Sequence, residues 1–353
     1  MLTNQSNRLI YLDNIKALGI CLVILYHCQY VPFNSMFLHG IYAMCVPLFF
    51  VVNGFLMLRK EYSISCILKK NIKLLLVMFF WALISSVVYI YVTESDFVAK
   101  LSIGERVRNI VCCSLTISKP ECNHLRFLKA IFVLNLLNPI FYHFVSGDKT
   151  RLIYLLALMT AWSVAFFDII SCRLANPLVH WLTAFSVLYY LLGHAVLDKK
   201  LNIIQTISNK KYSKWILISI IVICAILQWG YNWIFIEGIL HTLNAKKGWI
   251  IDIVYDNYNA LFIVIMTIAV SVLFQKITWK ENKFWSFVGK NSLAIYLLQT
   301  PVQRLLKHYL PLQELINIHH ELGFILPILT LLVSMLITYI LLTNKYTRYL
   351  ITI

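Results

Sequence analysis

Ten stretches of this chain are each long and apolar enough for a helix to cross the roughly 30 Å hydrocarbon core of a bilayer, which takes about 20 residues. They lie near residues 15–32, 39–58, 72–92, 125–144, 152–170, 177–197, 214–236, 256–275, 285–303 and 323–343. The fourth and ninth carry several polar groups. The balance of residue types agrees, with 60% hydrophobic and 13% charged over 353 residues. An ordinary soluble domain carries about 25% charged residues, and a soluble fold with this much apolar side chain would leave large sticky patches on its surface. The expected fold is therefore all-α, a polytopic membrane protein with about ten transmembrane helices. Arg8, Asp13 and Lys16 precede or enter the first apolar stretch, and no small-residue cleavage site follows it, so no cleavable signal peptide is expected. With no internal repeat, linker or low-complexity tract, residues 1–353 are expected to form a single membrane domain without an appended soluble domain.

The formal charge is +16. In a soluble protein that would suggest nucleic acid; here the test is where the cations sit. An even number of spans puts both termini on one side. The segments on that side hold Arg59, Lys60, Lys69, Lys70, Lys73, Lys199, Lys200, Lys210, Lys211 and Lys214 among others, roughly twice the Lys and Arg of the opposite segments. That bias places both termini in the cytosol. It also removes nucleic acid as a partner, because the cations are scattered over short loops rather than gathered in one domain. The nine cysteines include no Cys-x-x-Cys pair. Cys21, Cys28, Cys45 and Cys224 read as small hydrophobes. Cys112, Cys113 and Cys122 share one loop, where reduced thiols are favoured over a disulfide. His319 and His320 lack further ligands nearby, and no metal site is expected.

Polar groups inside a membrane are costly and mark function until explained. The first helix, YLDNIKALGICLVILYHC, carries Asp13, Lys16 and His27. The eleven-residue step from Lys16 to His27 turns a helix through three turns plus about 20°, so the two share a face, about 16 Å apart along the axis. Asp13 falls on nearly the same stripe, three residues before Lys16, where an ion pair can form. One reading is interface anchoring with His27 in an interhelical hydrogen bond. The other is catalysis, because a neutral imidazole is well suited to take a proton from a hydroxyl near neutral pH.

These residues resemble the opening signature of the integral-membrane acyltransferase 3 family: an Asp, a basic residue, then ten residues and a His. Lys16 stands where Arg is usual. CVPLFFVVNGFLM is similar to the family's Pro-Leu-Phe-Phe run ending in Ser-Gly, with Asn53 for the Ser. Lys70 and Lys73 match its Arg-x-x-Arg. NHLRFLKAIFVLNLLNP resembles a His-Leu-Trp-Phe-Leu segment with Arg126 for the Trp. VLYYLLGHAVL resembles its sixth span, and FVGKNSLAIYLLQTP its Gly-x-x-Ser-x-x-Ile-Tyr-Leu-Leu, with Gln299 where many members have His.

The resemblance implies a multi-pass enzyme of the plasma membrane, bacterial in origin. It implies acyl transfer, usually of acetyl from cytosolic acetyl-coenzyme A, to a hydroxyl of a cell-envelope polysaccharide or lipid-linked sugar. His27 would be the catalytic residue, with Lys16 its basic partner and Asp13 paired to Lys16. Lys70, Lys73 and Asn53 would meet the polyanionic donor, although snorkelling anchors and a helix-packing point are the plain readings of the same residues. A covalent route through Cys28 is disfavoured, since neighbours about 100° apart do not face one groove. Ser292, Tyr296 and Gln299 fall on one face of the ninth span, lining a substrate groove or bonding helix to helix. His124 and Arg126 enter the fourth span from the outer loop, where an acceptor sugar or a lipid headgroup would meet them. The competing function is a transporter or flippase for a lipid-linked sugar, against which the missing repeats and broken helices argue.

Overall fold

The computed structural model describes residues 9–28, 36–93, 102, 104–105, 107–108, 124–146, 149–165, 184–233, 260–310 and 323–352. Among these residues there is no strand. The helices are α1 (Ile10–His27), α2 (Met36–Tyr42), α3 (Cys45–Leu58), α4 (Ile64–Thr93), α5 (Arg126–Val145), α6 (Lys149–Ala165) and α7 (Ala184–Leu197). They continue with α8 (Asn202–Asn209), α9 (Ser213–Trp233), α10 (Leu261–Lys276), α11 (Lys283–Lys290), α12 (Ser292–Tyr309), α13 (Ile325–Thr343) and α14 (Lys345–Tyr349). Six helical stretches among the described residues are long and apolar enough to cross a membrane: α1, Gly40–Leu58, α4, α5, Ser213–Gly230 and α13.

The outward faces explain why lipid suits this bundle. On α4, Leu68, Ile72, Leu76, Phe79, Leu83 and Val87 are all exposed, three or four residues apart, so they form one stripe along the helix. Ile325, Ile328, Leu332, Leu336 and Ile340 do the same on α13. A stripe of this kind in water would be an aggregation site, and in hydrocarbon it costs nothing. Polar side chains turn inward. Thr267 Oγ1, Ser271 Oγ and Thr330 Oγ1 donate to the carbonyls of Ile263, Thr267 and Leu326, four residues back, at 2.8, 2.7 and 2.7 Å, which satisfies a hydroxyl without a partner helix.

At the centre, α1 packs on α3, α10, α11 and α12, and α3 packs on α7. One end of the bundle gathers the start of α1, the ends of α3, α7 and α10, and the start of α4. Gln275 Nε2 near the end of α10 donates to the Leu197 carbonyl at the end of α7 at 2.9 Å. Gly289 lies against the backbone of Asp13. Lys70 Nζ is 3.7 Å from Met57 Sδ, and Trp81 Nε1 donates to the Leu350 carbonyl at 3.0 Å, folding the C-terminal segment along α4. The opposite end joins the last turns of α1, α4 and α12: Gln303 Nε2 donates to the His27 carbonyl at 2.7 Å, and the Tyr91 and Tyr309 hydroxyls meet.

The expected ninth span, 285–303, is not one helix. It divides at Asn291 (φ −109°, ψ 20°) into α11 and α12. Asn282 starts α11 by accepting from the amides of Phe284 and Trp285 at 2.9 and 3.2 Å, a strong N-terminal signal. Asn291 Nδ2 closes it on the Phe287 carbonyl at 2.9 Å. The second span runs as expected, Gly40–Leu58, with only a turn at Ala43 and Met44 between α2 and α3. The first span starts at Ile10 rather than near residue 15, which brings Asp13 and Lys16 into its first two turns. Cys112, Cys113, Cys122, Asp168, His319 and His320 lie outside the described residues.

Candidate active site

Asp13 and Lys16 form the expected ion pair, Nζ to Oδ1 at 2.9 Å. Asp13 is 6% exposed, and a buried carboxylate needs such a partner. His27 ends the same helix, so α1 carries the charged pair at one end of the bundle and the imidazole at the other. The Tyr26 ring meets His27 edge-on, with centroids 5.5 Å apart.

Around His27 the structure assembles groups from three further segments. His124 is buried just before α5, and its Nε2 is 3.3 Å from Ser85 Oγ on α4. Arg304 and His27 lie within electrostatic reach of His124. The Arg304 guanidinium lies over the Tyr89 ring at 5.0 Å, and Gln303 reaches the His27 backbone. Span position alone predicts His124 at an outer mouth beside Arg126. It is instead enclosed in the bundle, while Arg126 is exposed. Two imidazoles, a hydroxyl and a guanidinium thus converge where a hydroxyl acceptor could lose its proton. Cys28 turns elsewhere: its thiol meets Thr330 and Gln303, with Lys307 nearby.

At the other end, the Lys70 ammonium lies 4.2 Å from the Tyr62 ring centroid and that of Lys73 4.5 Å from the Tyr349 centroid. Cation–ring contacts of this kind help fix where each ammonium sits, and Lys70 Nζ also donates to Met57 Sδ. Between α4, α5 and α7 runs a polar ladder. Asn71 Nδ2 donates to the Phe132 carbonyl at 3.1 Å, Asn135 Nδ2 to Asn71 Oδ1 at 3.1 Å, and the Tyr190 hydroxyl to Asn138 Oδ1 at 2.5 Å. Asn53 Nδ2 and Asn138 Nδ2 are buried without a hydrogen bond. Orphaned amide donors of this kind are expensive in a core and suit a ligand bearing carbonyl and phosphate oxygens. Tyr190→Phe should lower thermal stability by about 0.6–1.7 kcal/mol, the usual range for a buried hydrogen bond between membrane helices. A detergent melt indistinguishable from wild type would show that the ladder does not hold α5 to α7.

Ser292, Tyr296 and Gln299 are all buried on α12. Tyr296 joins an aromatic cluster, its ring 5.6 Å from Phe127, which is 5.0 Å from Phe50. Gln299 Nε2 donates to Thr300 Oγ1 at 2.9 Å, and its Oε1 is buried without a partner. Ser85, Gln303, Arg304 and the asparagine ladder carry no motif that marks them in the sequence. Gln303 is discoverable, because 292, 296, 299 and 303 continue one helix face. Ser85 is not, because serines are common packing residues in membrane helices. Lys129, 1% exposed, is an interior cation of α5, although its place in the sequence is that of a helix-end residue. No group of three or more metal-ligating side chains occurs among the described residues.

Comparison of the chain with curated proteins and with solved structures gave no match. The family model described as Acyltransferase domain matches residues 9–343 and so takes in α1, both polar clusters and α13; the chain belongs to the acyltransferase 3 family and is a membrane acyltransferase.

Proposed function

We propose that this membrane acyltransferase moves acetyl groups from acetyl-coenzyme A, met at the basic end of the bundle, to a hydroxyl of a cell-envelope polysaccharide or its lipid-linked precursor at the opposite end. The bundle crosses a bacterial plasma membrane ten times with both termini cytosolic. The observation that carries this reading is α1 itself, which joins the Asp13–Lys16 pair at one end to His27 at the other. Lys16, Lys70 and Lys73 receive the donor's phosphates, and Asn53 offers its buried amide to the donor's oxygens. His27 takes the proton of the acceptor hydroxyl, the resulting alkoxide attacks the thioester carbonyl, and the C–S bond breaks to release coenzyme A as a thiolate. His124 and Arg304 stand where they can bear on the charge of that step, and Ser292, Tyr296 and Gln299 border the acceptor's path. Arg126, exposed near the acceptor end, meets the incoming sugar.

Membranes containing the protein should transfer label from acetyl-labelled acetyl-coenzyme A to an envelope glycan. An unlabelled glycan, together with no binding of coenzyme A to the purified protein, would sink the reading. Lys70→Glu with Lys73→Glu should raise the donor concentration for half-maximal rate at least tenfold, since a hydrogen bond to a charged group contributes about 1.5–3 kcal/mol. An unchanged donor dependence would make these two lysines topological anchors.

A further inference from the structure

A second basic site lies at the same end of the bundle, where α8 and α9 meet the end of α10. The turn between α8 and α9 folds against the end of α10 around a cleft of about 590 Å³. Lys210, Lys211, Lys214 and Lys276 line it, and no carboxylate does among the described residues. The Lys276 ammonium donates to the Ser208 carbonyl and so fixes the end of α8 against α10. Ser208 also lines the cleft; it is 8% exposed, and its Oγ makes no hydrogen bond. A buried hydroxyl left unpaired beside four ammonium groups is a ready donor to an anionic oxygen.

The rim identifies the kind of anion. Tyr212 and Trp215 are 64% and 70% exposed, and rings of this type settle at the headgroup level of a bilayer. Below Trp215, Ile218, Val222 and Ile226 are exposed along one face of α9, so the cationic cleft caps a greasy stripe. A soluble phosphate compound would use the first feature and not the second. α9 packs on α10 and α2, whereas the residues of the proposed donor site lie on α1, α3 and α4. We infer that it binds the phosphodiester headgroup of an acidic phospholipid, whose acyl chains lie along the α9 stripe.

The test is native mass spectrometry of the full-length protein in detergent, titrated with phosphatidylglycerol or phosphatidylcholine. Wild-type protein should retain phosphatidylglycerol at concentrations where phosphatidylcholine is lost, and millimolar inorganic phosphate should not displace it. Lys211→Gln with Lys214→Gln should raise the phosphatidylglycerol concentration needed about thirtyfold, because each of the two lysines near an anionic lipid surface contributes about 1 kcal/mol. Trp215→Ala, an exposed change that spares the fold, should weaken retention too. The charge-matched pair Lys280→Gln with Lys283→Gln, at exposed positions beside α11, should leave it unaltered. Equal retention by the cleft variants, or equal loss in the matched pair, would overturn the inference. Displacement by inorganic phosphate would overturn it also, by assigning the cleft to a soluble anion.

Discussion

His27→Ala membranes should lose acyl transfer by a factor of about 10²–10⁴, the range that a positioned general base supplies. At 1.36 kcal/mol per decade this is about 3–5 kcal/mol of barrier. The substitution removes the imidazole alone. The His27 carbonyl still accepts from Gln303 Nε2, and the Asp13–Lys16 pair at the start of the helix is untouched, so expression and elution profile should match wild type. His27→Gln is the sharper variant, because it keeps volume and hydrogen bonding but cannot take a proton near neutral pH. The rate of label transfer from acetyl-coenzyme A checks both. A rate within tenfold of wild type in either would shift the base to His124, whose Nε2 is held against Ser85 Oγ. His124→Ala alone should slow transfer less, since its place is beside the reacting pair.

The largest structural effect is expected at Gly54. A Cβ built there would overlap the backbone carbonyl and Cα of Tyr190, and one built at Gly193 would overlap the Val51 carbonyl. The backbones of α3 and α7 therefore touch at two reciprocal points, the close approach that small residues permit between membrane helices. Backbone cannot rotate away as a side chain can. Gly54→Ala should thus cost about 3 kcal/mol or more, at the upper end for overpacked cores, and Gly54→Val should yield little folded protein. Gly230, with nothing within 4 Å of the added carbon, is the control: Gly230→Ala should be neutral or gain up to about 1 kcal/mol of helix propensity. Heating in detergent followed by size-exclusion recovery reads both. Gly54→Ala surviving within about 2 °C of wild type would mean that the α3–α7 crossing gives way more easily than its geometry implies.

Several features are legible in the amino-acid sequence. Apolar length predicts the membrane helices, and helical spacing predicts that Asp13 meets Lys16 and that His27 shares their helix. The Asn53-Gly54 pair is legible as a packing point, although its partner, Tyr190, is not. What periodicity misses are interruptions made by single polar residues. Asn291 and the Asn282 cap divide the ninth span, and neither changes average hydropathy enough to register. The asparagine ladder escapes for a related reason. Asn71, Asn135 and Asn138 sit in apolar runs, and a membrane helix gives no sign of which face its few amides take until a neighbour is present.

The sequence alone determined the solvent, because hydrocarbon length and charge spacing are sums over neighbouring residues. It also determined the content of α1, because residues on one helix are placed relative to each other by the helix itself. Tertiary structure decided which helices meet. His27, His124, Ser85 and Arg304 come from four segments that no local rule relates, and their convergence follows from contacts such as the Gly54–Tyr190 crossing, where removal of a side chain lets two backbones close. The same holds for the lysine cleft: local spacing accounts for its cations as topology, and it took the seating of α8 against α10 to gather them around the buried Ser208 hydroxyl.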